Sequence, residues 1–178
     1  MSYILDTNQP ATVEQTFELQ QSAEADVIIP AGEIVKTEKK DDPFIFQLLN
    51  SVTISAGSTS ATGTIENSTP RDKQGELDGD PDQEVVLDYA PFIWNSEEVE
   101  IAGVPWSRAE NNNFLDAGPD SKVYVVEVDE NDIGHIIFGD GQNGQAPDGQ
   151  YKIDYKTGGG SEANNIQANK ITKLTRQF

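Results

Sequence analysis

Residues 122–138 read KVYVVEVDENDIGHIIF, in which two apolar runs flank the polar tetrapeptide at positions 129–132. Valine and isoleucine dominate both runs and favour extended backbone. Aspartate and asparagine favour turns, because their side chains bond to nearby backbone groups. The stretch therefore predicts a β-hairpin with a four-residue loop.

Alternation of apolar and polar residues recurs on both sides of this hairpin, in residues 12–19 and 151–156. A helix capped by Thr12 and Gln15 is an alternative for the first segment, but the period of two favours a strand. No long helical stripe occurs in the sequence. We therefore predict a mainly β fold, with antiparallel sheets in two small subdomains, turns rich in glycine, proline and aspartate, and little helix.

The clearest break in the β pattern is residues 70–83, PRDKQGELDGDPDQ, which contain almost no core residues. Such a charged, glycine- and proline-containing composition is typical of a linker or an exposed loop. The sequence therefore predicts an N-terminal β subdomain in residues 1–70, an acidic linker or loop at 71–83, and a C-terminal β subdomain in residues 84–178.

The composition excludes several functions. Among 178 residues, 31 are acidic and 12 basic, giving a formal net charge of −19. Such a charge repels phosphate backbones and anionic membrane surfaces, so neither nucleic acid nor membrane is an expected partner. The absence of cysteine excludes disulfides and thiolate-bound metals. No apolar run approaches the roughly 20 residues that span a bilayer.

The sequence offers few candidates for catalysis. Its single histidine, His135, lies inside the apolar run 133–138, where a strand residue is a better interpretation than a general base. No Gly-x-Ser-x-Gly motif is present. Among 31 acidic residues, two neighbouring carboxylates carry little information about a glycosidase-like pair. We expect neither catalytic residues nor enzyme activity.

A phosphate-binding loop is one further possibility, because Gly139, Gly141 and Gly144 have the spacing of the dinucleotide-binding fingerprint. The residues that follow, QAPDG at 145–149, form a turn sequence and not the start of a helix. Without a helix N-terminus, no row of free N–H groups faces a pyrophosphate. No cofactor is therefore expected.

Calcium is the other ligand that the loops suggest, since Asp78, Asp80 and Asp82 occupy the first, third and fifth positions of an EF-hand-like loop. Gln83 stands where that loop needs glycine, however, and Tyr89 stands where it needs glutamate. A second acidic stretch, residues 129–134, places an isoleucine at a ligand position. We interpret both as acidic turns and predict no metal.

An ordered set of short motifs lies within residues 106–172. It consists of Phe-Gly-Asp-Gly, Asn-Gly, Pro-x-Gly, a tyrosine and a triple glycine, at Phe138, Gly139, Asp140, Gly141, Asn143, Gly144, Pro147, Gly149, Tyr155, Gly158, Gly159 and Gly160. Together with IPAG at 29–32 and ISAG at 54–57, this set resembles the baseplate J-like proteins, inner wedge proteins of contractile phage tails and related injection systems. The Gly-Asn pairs usual in that family are replaced here by residues 70–83 and 163–166.

The resemblance implies a structural component of a tail baseplate, a wedge protein that surrounds the hub and acts through protein–protein assembly. It implies other wedge and hub proteins as partners, self-association in the particle, and a location in the virion after assembly in the host cytoplasm. Independently, Gly139 and Gly141 around Asp140 suit a sharp turn with positive φ, in which the aspartate bonds to its own backbone. We therefore interpret residues 138–149 as scaffold.

Aromatic residues outside the alternating strands are candidate anchors of an interface. They are Phe92, Trp94, Trp106 and Phe114, each of which has the core as its alternative place. The alternative function is a carbohydrate-binding or glycan-cleaving β module of a tail adhesin. It would use Trp94, Trp106, Tyr89 and Phe92 with nearby carboxylates.

Overall fold

The computed structural model describes residues 10–37 and 43–158, and the backbone of residues 171–174. The strands, in chain order, are β1 (Thr12–Glu18), β2 (Val27–Ile29), β3 (Ile34–Thr37), β4 (Ile45–Leu48), β5 (Val52–Ile54), β6 (Ser60–Glu66), β7 (Ser68–Asp78), β8 (Glu84–Val86), β9 (Glu98–Ile101), β10 (Val104–Arg108), β11 (Val123–Val128), β12 (Gly134–Phe138), β13 (Asp148–Gly158) and β14 (Ile171–Leu174). Within the described ranges, the only helical element is a 3-10 turn at Glu110–Asn112. The mainly β prediction is confirmed.

The N-terminal unit comprises residues 10–69 together with the segment that carries β14. Its five-stranded sheet has the order β1-β6-β4-β3-β14, and β2 and β5 form a second, two-stranded sheet. Strand β1 pairs with β6 along its whole length, so residues 12–18 form the predicted strand and not a helix. Both sheets contribute to one core, formed by Phe17, Ala23, Ile29, Val35, Phe46, Leu48, Val52, Ile54 and Ile65.

Two similar turns follow the paired strands β2 and β5. Gly32 and Gly57 end the IPAG and ISAG sequences with φ of 83° and 82°. Residues with a Cβ rarely adopt this conformation, which explains glycine at both positions. Each turn thus returns the chain from the two-stranded sheet, to β3 after the first and to β6 after the second.

The C-terminal unit comprises residues 70–158 and contains one seven-stranded sheet, in the order β7-β13-β9-β10-β11-β12-β8. The predicted hairpin is present, with β11 and β12 paired from Tyr124↔Phe138 to Val128↔Gly134. The five residues 129–133 separate the two strands, so the predicted four-residue loop is one residue too short. Its core is formed by Leu77, Val85, Leu87, Phe92, Val99, Ile101, Trp106, Tyr124, Val126, Ile136, Phe138, Ile153 and Tyr155.

One strand pair departs from the antiparallel prediction, because β10 runs parallel to β11 over Ser107↔Val123 and Arg108↔Tyr124. A parallel pair needs a long crossover connection, and residues 109–122 provide it. Where the short parallel pairing ends, the Asn112 side chain bonds to both the N–H and the C=O of Val126, at 2.8 and 2.7 Å. The Asn112 side chain thereby continues the pairing along β11 beyond the end of β10.

The predicted linker at 71–83 is wrong for most of its length, because residues 68–78 form the strand β7 and only 79–83 form a turn. Strand β7 is an edge strand with few buried residues, so its sequence lacks apolar alternation. The predicted bounds of the C-terminal subdomain are also wrong at the end, since β14 pairs with β3 of the N-terminal unit. Gly159 and Gly160 lie outside the described residues, whereas Gly158 ends β13.

Candidate functional site

The loop that follows β12 folds back on itself. The Asp140 carboxylate accepts hydrogen bonds from the backbone N–H groups of Gln142 at 2.7 Å and Asn143 at 2.6 Å. The N–H of Gly141 donates to the carbonyl of Gly144 at 2.9 Å. Both glycines have positive φ, of 84° and 85°. The prediction that Asp140 bonds to its own backbone within a glycine turn is confirmed.

Gly139 is required for a different reason from the one predicted, since the positive-φ glycines of the loop are Gly141, Gly144 and, at its end, Gly149. A Cβ placed on Gly139 would lie 2.4 Å from the carbonyl carbon and oxygen of Gly144. It would also lie 2.6 Å from the carbonyl oxygen of Asn143. Two backbone segments touch at Gly139, so the position has no room for a side chain.

A second loop, residues 113–122, packs on the first. The N–H of Gly144 donates to the carbonyl of Gly118 at 3.2 Å, and the N–H of Gln145 donates to the carbonyl of Ser121 at 2.9 Å. The ring of Phe114 lies against Gly144, where an added Cβ would be 3.2 Å from a ring carbon. Phe114, predicted as an interface anchor, is half-buried and covers this glycine turn.

The acidic turn between β7 and β8 is attached to the same loop through Gln83. Its side-chain amide donates to the carbonyls of Asp80 at 3.0 Å and Pro147 at 2.9 Å, while its oxygen accepts the N–H of Asp78 at 3.0 Å. The backbone of Gln83 also accepts the N–H of Phe138 at 2.9 Å. The glutamine that stands in place of the EF-hand glycine is therefore what fixes this turn.

Ionisation of Asp140 contributes to the stability of the loop. The hydrogen bonds from the N–H groups of Asn143 and then Gln142 hold the pKa of Asp140 below its usual value of 3.8. A lowered folded pKa adds stability above the unfolded pKa, and that stability is lost as the pH falls through the folded pKa.

We therefore expect Asp140→Asn to have a lower Tm than the wild type at pH 6, and the difference to shrink as the pH falls below about 3.8. Thermal melts followed by circular dichroism over a pH series measure this. Asp116→Asn in the neighbouring loop controls for the loss of one negative charge. A difference between Asp140→Asn and the wild type that stays constant with pH would contradict the account.

Among the described residues, no three histidine or carboxylate side chains are grouped as metal ligands. In the hairpin turn, Asp129 Oδ1 instead accepts the N–H groups of Asn131 and Ile133, both at 2.9 Å. These bonds, that from Ile133 above all, lower the pKa of Asp129. The carboxylate thus stabilises the turn, as an aspartate does in other short loops.

His135 lies on β12, as the sequence predicts, with its side chain 21% exposed. Its Nδ1 bonds to the carboxylate of Glu84 on β8, and its Nε2 lies 3.7 Å from Asp129 Oδ2. Its contacts connect β12 to β8 and to the hairpin turn.

Two of the four candidate interface aromatics lie in the core, which was the alternative place for each of them. Phe92 is 1% exposed and Trp106 is 7% exposed. The Trp106 ring meets Phe138 edge to face, with centroids 5.6 Å apart. Trp94 is half-buried against the same core. Alternation did not reveal the burial of Phe92 and Trp94, because residues 87–97 are largely irregular and still cover the sheet. Trp106 is the buried residue of the short strand β10.

A buried ionic cluster lies beside Trp94 and was not predicted from the sequence. The guanidinium of Arg108 lies 4.1 Å from the centre of the Trp94 ring. It also bonds to the carboxylate of Glu97, whose side chain is only 3% exposed. The Tyr124 hydroxyl donates to the same carboxylate at 3.3 Å. Burial and then the Glu97 charge raise the pKa of Tyr124, so the phenol stays neutral and keeps donating.

Several other large apolar side chains are exposed. They are Val13, Ile28, Val86, Tyr89 and Leu115. Tyr89 is covered on one face by the guanidinium of Arg71, 4.1 Å from the ring centre. Val86 lies on the edge strand β8, in which the exposed Glu84 and Val86 alternate with the buried Val85. That alternation does not reveal that β8 is an edge strand, because sheet order depends on distant segments.

No protein-family model matches the chain, and no curated protein is similar to it. Over the residues that the structure describes, no helix has the length and hydrophobicity needed to cross a membrane.

Proposed function

We propose that this chain is a non-enzymatic structural component of a phage-tail baseplate, a wedge protein that surrounds the hub and acts through protein–protein assembly. The observation that carries the proposal is the use of the motif in residues 138–149. Its glycines and Asp140 close a turn and anchor two neighbouring loops. Residues that carry the family resemblance thus have a scaffolding role, as expected for a protein that holds partners in a fixed arrangement.

The charge and the contacts of the aromatic residues agree with this function. A net charge of −19 disfavours nucleic acid and anionic lipid, and leaves other proteins as the partners. A carbohydrate module needs an open aromatic platform, yet Phe92 and Trp106 are buried. Guanidinium groups cover one face each of Trp94 and Tyr89. The glycan-binding alternative therefore has no observation in its favour.

Labelling of intact particles tests the proposal. A tagged copy of the gene, introduced into the genome that encodes it, should yield purified tails with the tag at the baseplate end in electron micrographs. Self-association should accompany assembly into the particle. A tag absent from particles, or one found on fibres together with binding to bacterial polysaccharide on a glycan array, would overturn the proposal.

A further inference from the structure

The seven-stranded sheet of the C-terminal unit has two edges that lie close together. Strands β7 and β8 stand at opposite ends of the sheet order, yet the turn at residues 79–83 joins them directly. Each has one neighbour among the strands that the structure describes, β13 for β7 and β12 for β8. The sheet therefore curls without closing, and two strand edges face a common gap.

A cleft of about 350 Å³ occupies this gap. Its lining includes the buried side chains of Leu77 and Val85, one from each edge strand. The ring of Tyr151 forms part of the wall and lies over Gly75, where an added Cβ would be 2.6 Å from the tyrosine hydroxyl. An ion pair of 2.5 Å between Lys73 and Asp88 links β7 to the segment after β8.

The backbone of β8 is oriented to accept a further strand. Gln83 and Leu87 bond to β12 through Phe138 and Gly134. Hydrogen-bonding directions alternate along an antiparallel strand, so the intervening Glu84 and Val86 direct their N–H and C=O groups away from β12. Such an edge is a template for pairing with another extended chain. Val86 adds an exposed apolar side chain, 42% accessible, at this edge.

The charge around the cleft selects the chain that fits. Residues 71–88 contain seven acidic and two basic side chains. Both basic side chains have partners: Arg71 lies over the ring of Tyr89, and Lys73 forms an ion pair with Asp88. Glu76 and Glu84 line the cleft itself. An acidic segment, including most of this chain, is repelled here, whereas lysine or arginine side chains are attracted.

We propose that the cleft between β7 and β8 binds an extended, basic segment of a partner protein, which pairs with the free edge of β8 and completes the sheet. Recognition of this kind takes its affinity from backbone hydrogen bonds and its specificity from alternate side chains. The fitting segment alternates basic residues with small apolar ones. The inference rests on the sheet edges and their charge, and it does not depend on the baseplate proposal.

A fluorescent peptide of alternating lysine and valine, with a glutamate–valine peptide as its counterpart, tests this binding at physiological salt. The basic peptide should bind, the acidic one should not, and bound peptide should slow hydrogen exchange at the amides of Glu84 and Val86. Val86→Pro removes one edge N–H and should weaken binding at least tenfold, whereas Val86→Ala should not. Proline is tolerated at such an edge, because the lost N–H has no strand partner.

A charge reversal provides a second variant that leaves the edge backbone intact. Glu76→Lys should weaken binding of the basic peptide at least tenfold, while Glu110→Lys in the 3-10 turn should change its binding little. Equal binding to both glutamate variants, or binding without protection of Glu84 and Val86, would show non-specific attraction to an acidic protein and overturn the proposal. If sedimentation showed that a second copy of the chain fills the cleft, the proposal of a basic partner segment would be wrong.

Discussion

Replacing Arg108 with alanine should lower the free energy of unfolding of the C-terminal unit by about 3–5 kcal/mol, the usual result of removing one partner of a buried ion pair. The reason is the carboxylate of Glu97, which is 3% exposed and would lose its cationic partner. The Trp94 ring would also lose the guanidinium that covers it. Denaturant unfolding followed by tryptophan fluorescence measures the change, because both tryptophans lie in this unit.

Arg71 offers a matched control for this experiment. Its guanidinium also lies 4.1 Å from an aromatic ring, that of Tyr89, but the ring is 48% exposed. A cation–aromatic contact at an exposed site contributes about 0.5–1 kcal/mol, so Arg71→Ala should have a small effect. Arg108→Lys should fall between alanine and the wild type, since lysine keeps the charge and loses the planar group. Equal losses for Arg108→Ala and Arg71→Ala would contradict the buried-pair account.

Trp106→Ala should be destabilising to a similar extent, by about 3–5 kcal/mol, as is typical when a buried tryptophan is truncated. The side chain is 7% exposed and packs edge to face on Phe138, so its removal leaves a cavity in the core of the sheet. Denaturant unfolding followed by the fluorescence of Trp94 reports the change.

Tyr89→Ala is the control for Trp106→Ala, because Tyr89 is 48% exposed and its loss creates no buried cavity. We expect its effect to stay below about 1 kcal/mol, as for most surface substitutions. If Trp106→Ala left stability unchanged and weakened assembly instead, Trp106 would belong to an interface, as its position outside the clearest alternating strands first suggested.

The parts of the fold that the sequence predicted well are those fixed by short-range chemistry. The hairpin at 122–138 has strong β-formers on both sides of an aspartate turn, and the structure contains it with a loop one residue longer than predicted. The self-bonded turn at Asp140 follows from a carboxylate between glycines. The bonded groups of both turns lie within a few residues of each other, so the local sequence contains most of the information about them.

The parts that were missed depend on distant partners. Strand β7 reads as a linker because it is polar, and only Leu77 in its second half is buried. What makes it a strand is pairing with β13, about 80 residues further along the chain. The same holds for Arg108, whose fixed contacts with Glu97 and Trp94 come from a loop that alternation does not describe. Sequence periodicity indicates which residues are buried, but it does not indicate which strands pair with each other.

The pairing of β7 with β13 also couples the two units through the chain itself. Strand β14 joins the N-terminal sheet only after the chain has passed through the whole C-terminal unit, so with that unit unfolded the pairing closes a loop of about 100 residues. Once the C-terminal unit folds, its first and last strands are neighbours. The closure entropy of the β14 pairing is then that of a loop of about 15 residues. Closure entropy grows as the logarithm of loop length, so folding of the C-terminal unit favours attachment of β14 by about 1.5–2 kcal/mol. A substitution that unfolds the C-terminal unit should therefore loosen β14 from β3, even though it alters no residue of the N-terminal unit.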